Sequence, residues 1–193
     1  AKLRAHMRAE LIELHRRLGK TMVYVTHDQL EAMTMSGRIA VLSQGRLQQF
    51  APPEDVYNQP ANRFVASFIG TPSMNLVDGT VADGTFRAGG LAVPLAHCAP
   101  PGPAALGVRP EHVLLGEGDT PARVRVVEPT GHETIVIVEA GDGVRLTARV
   151  PAARKFVPGE NATLRLAPEG LHLFAADEAG ARIPTRAHKG DTQ

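Results

Sequence analysis

The stretch Val-Tyr-Val-Thr-His-Asp-Gln at residues 23–29 is the most informative part of the chain. A short apolar, β-branched run ends there in Thr-His-Asp, and a helical pattern follows at once. This order predicts a strand at Thr21–Thr26 that is covered on both faces. It places His27 at the carboxyl end of that strand, where open α/β sheets hold their ligand chemistry. Asp28 is the predicted N-cap of the next helix.

A lone histidine at a strand end is more often structural than functional, so the flanking segments decide its meaning. Upstream, apolar residues recur at steps of three and four from Leu3 to Leu18. This spacing predicts a helix whose apolar stripe packs against a sheet, and Gly19 ends that helix. Downstream, residues 38–47 predict a strand, a glycine turn and a return strand.

Two short helices complete the first part of the chain. One is predicted around Glu54–Asn58, in a stretch punctuated by prolines. The other begins after Pro60, with Asn62 as its cap. Residues 1–70 therefore have an α/β pattern.

The pattern changes at Gly70-Thr71-Pro72, because glycine and proline end helices and loosen the backbone. Short strands separated by Gly, Pro and Asp follow, which predicts a small barrel or sandwich. The nine candidate strands are Asn75–Ala82, Thr85–Arg87, Leu91–Pro94, Ala104–Val108, Ala122–Glu128, Thr134–Ala140, Val144–Val150, Ala162–Ala167 and Leu171–Phe174. After Ile183 the chain is polar, which predicts a disordered tail at residues 184–193.

Composition limits the class of protein. The chain has 193 residues, which allows one or two domains, and a net charge of +1, which gives no electrostatic reason to expect nucleic acid or a membrane surface. Its single cysteine, Cys98, cannot form an internal disulfide, which favours a reducing compartment. Neither a signal-peptide h-region nor an apolar run near the roughly 20 residues of a membrane span occurs in the sequence.

In order and composition, these segments resemble the ATP-binding subunits of ABC importers, in the carbohydrate-uptake group that serves maltose, glycerol-3-phosphate and related solutes. The resemblance rests on the Tyr-Val-Thr-His-Asp-Gln motif at residues 24–29 and on the Pro-rich segment that leads to Gly70. Gly-Val-Arg-Pro-Glu-His at residues 107–112 matches a further landmark. The resemblance runs from Ala1 to about Ile183. Residues 71–79 look most similar to those of glycerol-3-phosphate importers.

The resemblance implies a fold, a function and a site. The fold is a RecA-like α/β fragment of the ABC nucleotide-binding domain at residues 1–70, followed at residues 71–183 by an all-β regulatory domain of OB-like barrels. The function is ATP hydrolysis with Mg²⁺ in the full-length subunit. His27 takes the role of the switch histidine, which contacts the γ-phosphate of ATP. Ala-Lys-Leu-Arg at residues 1–4 looks like the continuation of the D-loop, so the chain is expected to begin inside a domain.

The resemblance also implies partners. These are a second copy of the subunit, bound through the regulatory domain, the membrane subunits of the importer and a periplasmic solute-binding protein. The subunit would lie on the cytoplasmic face of the inner membrane.

A P-loop, an ABC signature and a Walker-B strand are not in these 193 residues. We therefore expect this segment alone to be inactive, and the strand at Thr21–Thr26 to lack pairing partners.

Two other functions remain open from the residues. OB-like regulatory domains of related molybdate and sulphate systems bind small oxyanions, so this chain could be a non-enzymatic ligand sensor. A nucleic-acid-binding OB module is a weaker alternative, because two tyrosines and six phenylalanines leave few stacking platforms.

Arg109, Glu111 and His112 bring a cation, a carboxylate and an imidazole together. A structural role is favoured, in which charge-assisted hydrogen bonds hold a barrel crossover. His132-Glu133 starts like a zinc-protease motif, but Val136 stands where the second histidine should be. The spacing of the eight histidines predicts no metal site.

Overall fold

The computed structural model describes residues 2–95 and 99–184. The chain divides into two units, the first ending at Ala61 and the second beginning at Asn62. The predicted domain boundary after residue 70 stays a prediction. Cys98 lies outside the described residues, as does the predicted tail beyond Pro184.

The first unit contains three helices and a two-stranded hairpin, as the sequence predicts. Its hairpin turns over Gln44 and Gly45, whose φ angles of 48° and 73° fit the turn type that matches the twist of paired strands. The elements are α1 (Lys2–Leu18), α2 (Gln29–Met35), β1 (Ile39–Ser43), β2 (Arg46–Ala51) and α3 (Pro53–Asn58).

The predicted strand at Thr21–Thr26 is wrong for the described residues. This segment has no regular secondary structure, and Val23 and Val25 are 91% and 90% exposed. A strand needs a neighbour for its hydrogen bonds, and the one sheet of this unit is the hairpin β1–β2. The segment has the composition of a strand but lacks the hydrogen-bonded neighbour that would make it one.

The prediction that the apolar stripe of α1 packs against a sheet is also wrong here. Leu3, Met7 and Leu18 are 71%, 53% and 50% exposed. Because residues 21–26 form no strand, the described part of this unit offers no parallel sheet to cover the stripe. The RecA-like part of the predicted fold is therefore not shown.

The second unit is nearly all β. It begins with helix α4 (Arg63–Phe68), whose predicted cap is confirmed: Asn62 accepts a hydrogen bond from the Val65 amide at 2.9 Å. The strands are β3 (Asn75–Ala82), β4 (Thr85–Ala88), β5 (Leu91–Pro94), β6 (Gly102–Val108), β7 (Val113–Pro129), β8 (Glu133–Ala140), β9 (Val144–Pro151), β10 (Asn161–Leu166), β11 (Leu171–Ala175) and β12 (Arg182–Ile183).

All nine predicted strands of this unit are found, with ends shifted by up to two residues except in one case. The exception is Ala122–Glu128, which forms only the second half of the 17-residue β7. The pairing of β7 with β10 passes from Leu115 directly to Pro121. The residues between these two therefore leave the hydrogen-bonded ladder. Glycines at 116 and 118 have φ near +74°, and these turn signals hid the continuity of the strand.

The strands form two antiparallel sheets that share one hydrophobic core. The six-stranded sheet has the order β12-β11-β6-β3-β4-β5, and the four-stranded sheet has the order β10-β7-β8-β9. Phe86, Leu106 and Leu173 of the first sheet belong to the same buried cluster as Val124 and Leu146 of the second. The predicted β-rich class is confirmed for this unit.

A second apolar cluster lies on the other face of the six-stranded sheet. Ala66 of α4 belongs to it, with Met74, Ala105 and Phe174. Because Leu173 belongs to the shared core and Phe174 to this cluster, β11 is covered on both of its faces.

Asn75 connects the two sheets through its side chain. The amide oxygen accepts from the Thr147 backbone N–H at 2.7 Å, and the amide nitrogen donates to the Thr147 carbonyl at 2.8 Å. The same nitrogen donates to the Val108 carbonyl at 3.1 Å. β9 is an edge strand of its sheet, so the Asn75 amide supplies the backbone hydrogen bonds that a neighbouring strand would supply.

We predict that Asn75→Ala destabilises the second unit by about 2–3 kcal/mol, because two backbone groups of Thr147 lose partners inside the protein. Urea unfolding of the chain, followed by circular dichroism, measures this change. Asn161→Ala is the matched control, since Asn161 is exposed, and it should change stability by no more than about 0.5 kcal/mol. Equal stabilities of the two variants would contradict the bridging role.

Candidate functional site

His27 lies at the junction between the extended segment 21–26 and helix α2. Asp28, the next residue, is the predicted N-cap, and its Oδ1 accepts from the amides of Leu30 at 2.9 Å and Glu31 at 3.2 Å. This prediction is confirmed. His27 itself is exposed, so the junction presents its imidazole outward from the start of the helix.

The residue before His27 is held as firmly as the one after it. The Thr26 hydroxyl donates to Glu31 Oε2 at 2.7 Å and accepts from the Asp28 amide at 2.9 Å. Tyr24 donates its own hydroxyl to the same Glu31 oxygen at 3.2 Å. The Glu31 carboxylate also raises the pKa of Tyr24 by coulombic repulsion of the phenolate. The backbone on both sides of His27 is thus fixed by side chains.

An open cleft borders this junction. Its walls come from α1, from residues 24–28 and from α2, and include Arg4, Met7, Tyr24 and Glu31. Arg4 lies 3.7 Å from Asp28 in an ion pair that is largely open to solvent, so it contributes little to stability. The cleft combines an apolar helix face with an arginine and a histidine.

The imidazole of His27 makes no hydrogen bond or ion pair with any residue that the structure describes. A neutral imidazole has one donor and one acceptor nitrogen, so both remain available for a ligand. The site can therefore offer a hydrogen bond to an anionic oxygen from a residue whose backbone is already ordered. The role of His27 as a nucleotide contact is a prediction that the geometry permits.

Arg109 has the structural role that the sequence favours, but with a different partner. Its side chain is 1% exposed and donates through Nη1 to the backbone carbonyls of Ala66, at 3.2 Å, and Ile69. Both carbonyls are at the C-terminal end of α4, where a cation is favoured by the helix dipole. Arg109 therefore fixes this helix, and its predicted role at a barrel crossover stays a prediction.

Glu111 and His112 have structural contacts of their own. The Glu111 carboxylate lies 3.7 Å from Arg149, which pairs with Glu133 at 3.2 Å. The ring of His112 packs against Gly170, where an added Cβ would lie 2.0 Å from Nδ1. Glycine at 170 is thus required by close approach, and the contacts of the three residues are structural: hydrogen bonds for Arg109, an ion pair for Glu111 and packing for His112.

His172 is a buried polar residue that the sequence analysis did not identify. It lies on β11, is 8% exposed, and its Nδ1 has no hydrogen-bond partner among the described residues. Burial, with smaller contributions from the charges of Arg182, Arg109 and His112, lowers the pKa of His172 to about 4. The signal was present in the sequence, since Phe174 is two residues away and thus on the same face of the strand.

The described residues contain no group of three or more His, Cys, Asp or Glu side chains that could hold a metal ion. Among the same residues, no helix has both the length and the apolar character that crossing a membrane requires.

Comparisons with known proteins identify two domain families in the second unit. The MalK OB fold domain matches residues 70–113, and the TOBE domain matches residues 106–174. Together they cover the six-stranded and four-stranded sheets almost completely.

Relatives extend the similarity to nearly the whole chain. The xylose/arabinose import ATP-binding protein XacK of Haloferax volcanii is 44% identical over 94% of this chain and 51% of its own length. A putative ATP-binding protein of Brucella suis is 46% identical over 90% of this chain and 51% of its own length. The sn-glycerol-3-phosphate import ATP-binding protein UgpC of Vibrio vulnificus is 42% identical over 97% of this chain and 52% of its own length.

The chain thus carries a MalK OB fold domain and a TOBE domain. Its homologues are ATP-binding proteins of sugar and sn-glycerol-3-phosphate importers, matched over their C-terminal part, which confirms the predicted resemblance. The chain spans about half the length of the curated relatives it matches.

Among solved structures, the molybdate-bound form of the cytoplasmic molybdate-binding protein ModG aligns with a TM-score of 0.43 and 20% identity, over 51% of this chain and 94% of that one. A similarity of this size supports no conclusion about a shared fold or ligand.

The second unit should lose stability in acid because of His172. Its pKa is 6.5 in a model peptide and about 4 in the fold, so the unfolded chain binds the proton first as pH falls. The stability present above pH 6.5 is then lost down to about pH 4, by about 3 kcal/mol at most, and the loss stops below that pH. Urea unfolding of the wild type and of His172→Gln, measured across pH 4–7, gives this contribution as the difference between their pH dependences.

His132→Gln is the control for that experiment, because the His132 side chain is 82% exposed. This variant should keep the pH dependence of the wild type, whereas His172→Gln should be flatter. Parallel curves for all three proteins would show that His172 titrates normally.

Proposed function

We propose that the chain is the C-terminal part of the ATP-hydrolysing subunit of an ABC importer for sugars or sn-glycerol-3-phosphate. One observation carries the proposal. An exposed histidine with no partner among the described residues stands in a turn fixed on both sides, in a chain whose homologues are import ATP-binding proteins. A side chain on backbone that is already held in place is pre-organised to meet a ligand.

His27 is the residue that would contact the nucleotide, by donating a hydrogen bond to the γ-phosphate of ATP. The outward-facing imidazole fits an anionic oxygen. ATP and Mg²⁺ belong to the full-length subunit, because a P-loop lysine and magnesium ligands are not among these 193 residues. What this chain supplies is one phosphate contact, held in place before the phosphate arrives.

The β unit is proposed to regulate the subunit and to join two copies of it. Support comes from the MalK OB fold and TOBE families. The other proposed partners are the membrane subunits of the importer and its periplasmic solute-binding protein, with no nucleic acid. The subunit would act as a peripheral protein on the cytoplasmic face of the inner membrane.

The alternative function, a non-enzymatic sensor of small oxyanions, is not favoured. Homologues of this chain are named as import ATP-binding proteins, and a switch-type histidine has no role in a sensor that binds no nucleotide.

In the full-length subunit, His27→Ala should lower the turnover of ATP by about a hundredfold with a much smaller loss of ATP affinity. A contact that strengthens as charge moves onto the phosphate stabilises the transition state more than the bound ground state. Phosphate release and nucleotide binding measure the two effects separately.

His15→Ala is the matched control, since His15 is exposed on α1 and should leave both quantities unchanged. The 193-residue chain alone serves as a negative control, and we expect no phosphate release from it. Unchanged turnover of the His27 variant with a large loss of ATP binding would contradict the proposed role.

The β unit should fold by itself and form dimers when residues 62–193 are expressed. These limits include α4, because Arg109 needs the carbonyls of Ala66 and Ile69. Sedimentation measures self-association, and circular dichroism the β content. Residues 72–193 serve as the control, which should be less stable because the buried guanidinium loses its acceptors. A folded monomer at high concentration would remove the proposed dimer.

A further inference from the structure

Glu31 contacts the segment before His27 at two places. Its Oε2 accepts from the Thr26 hydroxyl at 2.7 Å and from the Tyr24 hydroxyl at 3.2 Å. Glu31 itself lies in the first turn of α2, three residues after the N-cap. One carboxylate therefore connects the chain that enters the turn to the helix that leaves it, with His27 between them.

The Thr26 hydroxyl transmits this contact to the backbone. A hydroxyl has a single proton, and here it is directed to Glu31, so a lone pair faces the Asp28 amide at 2.9 Å. The carboxylate thus sets the orientation of the hydroxyl, and the hydroxyl holds the amide directly after His27. Without an acceptor at position 31, the hydroxyl could rotate and release this amide.

The N-cap alone does not provide this restraint. Asp28 accepts from the amides of Leu30 and Glu31, so it orders the start of the helix. It does not reach residues before His27. The contacts of Glu31 are the ones that bring Tyr24 and Thr26 into register with α2.

We propose that Glu31 is a positioning residue for His27, which acts through the Thr26 hydroxyl to hold the imidazole in the place where it meets an anionic phosphate oxygen. The role rests on the proposed function of His27. It is a positioning role and not a catalytic one, because it acts through the contacts of Glu31 with Thr26 and Tyr24.

The contact itself can be tested in the 193-residue chain. The sequence has two tyrosines, so a Tyr57→Phe background leaves Tyr24 as the only phenol. Because the Glu31 carboxylate raises the pKa of Tyr24, Glu31→Gln should lower that pKa towards 10, as followed by phenolate absorbance. Glu13→Gln, at an exposed position of α1, should leave it unchanged. An unchanged Tyr24 titration in Glu31→Gln would overturn the proposal.

The positioning role can be tested in the full-length subunit. Glu31→Ala should lower ATP turnover by about tenfold, as expected when a group that orients a ligating side chain is removed. Glu31→Gln should restore most of the rate, because an amide oxygen still accepts from the Thr26 hydroxyl. Thr26→Ser should retain activity because its hydroxyl can still donate to Glu31 and accept from the Asp28 amide. Thr26→Ala, which has no hydroxyl, should behave like Glu31→Ala.

The double variant separates positioning from a general structural effect. If Glu31 acts through His27, adding Glu31→Ala to His27→Ala should cause no further loss of turnover. Additive losses, or full turnover in Glu31→Ala when His27→Ala is impaired, would overturn the role of Glu31 alone. Normal turnover in His27→Ala would instead refute the proposed function of His27.

Discussion

The hydrogen bonds of the Asn75 side-chain amide are the interaction on which the β unit most depends. Two sheets of this size share a core only if their edges stay in register, and hydrophobic contact alone sets no register. Asn75 donates and accepts at the same residue of the partner edge, Thr147, and adds a bond to Val108. This substitutes for a missing strand pair at the point where β9 would otherwise present bare backbone. Apolar burial supplies most of the free energy of folding, and this side chain decides how the two sheets meet.

Elements that are decided by local signals in the sequence agree with the structure, and those that depend on distant partners do not. The caps at Asp28 and Asn62 were predicted correctly, because a cap is decided by a side chain and amides two or three residues away. Strands with alternating burial, such as Val144–Pro151, were found for the same reason. Thr21–Thr26 has the composition of a strand, whereas strand formation requires a partner, and the sequence already led us to expect that this segment lacks one. His172 was missed because its burial depends on the position of β11 in a sheet that is covered on both faces, which is a property of the assembled fold.

At the candidate site, the sequence pointed to His27, and the structure shows which side chains hold the backbone around it. His27 was identified by the motif around it. The Asp28-x-x-Glu31 spacing is similar to that of a capping box, a signal that the sequence analysis did not use. In the structure, however, its carboxylate reaches past Asp28 to Thr26 and Tyr24. Which donor Glu31 accepts from, the Asp28 amide or these hydroxyls, depends on the path of the preceding chain, which a spacing rule does not contain.

The contact between Arg109 and α4 has a consequence for how this protein can change in evolution. The guanidinium binds main-chain carbonyls of residues 66 and 69, so the interaction is insensitive to which side chains stand there. Substitution at either position leaves the acceptors intact, whereas replacement of Arg109 removes the donor. The two sides of the contact are therefore under unequal selection, and no compensating change on the helix can rescue a loss at position 109. Methods that find contacts from correlated substitutions would not detect this pair, although it fixes the helix with which the β unit begins.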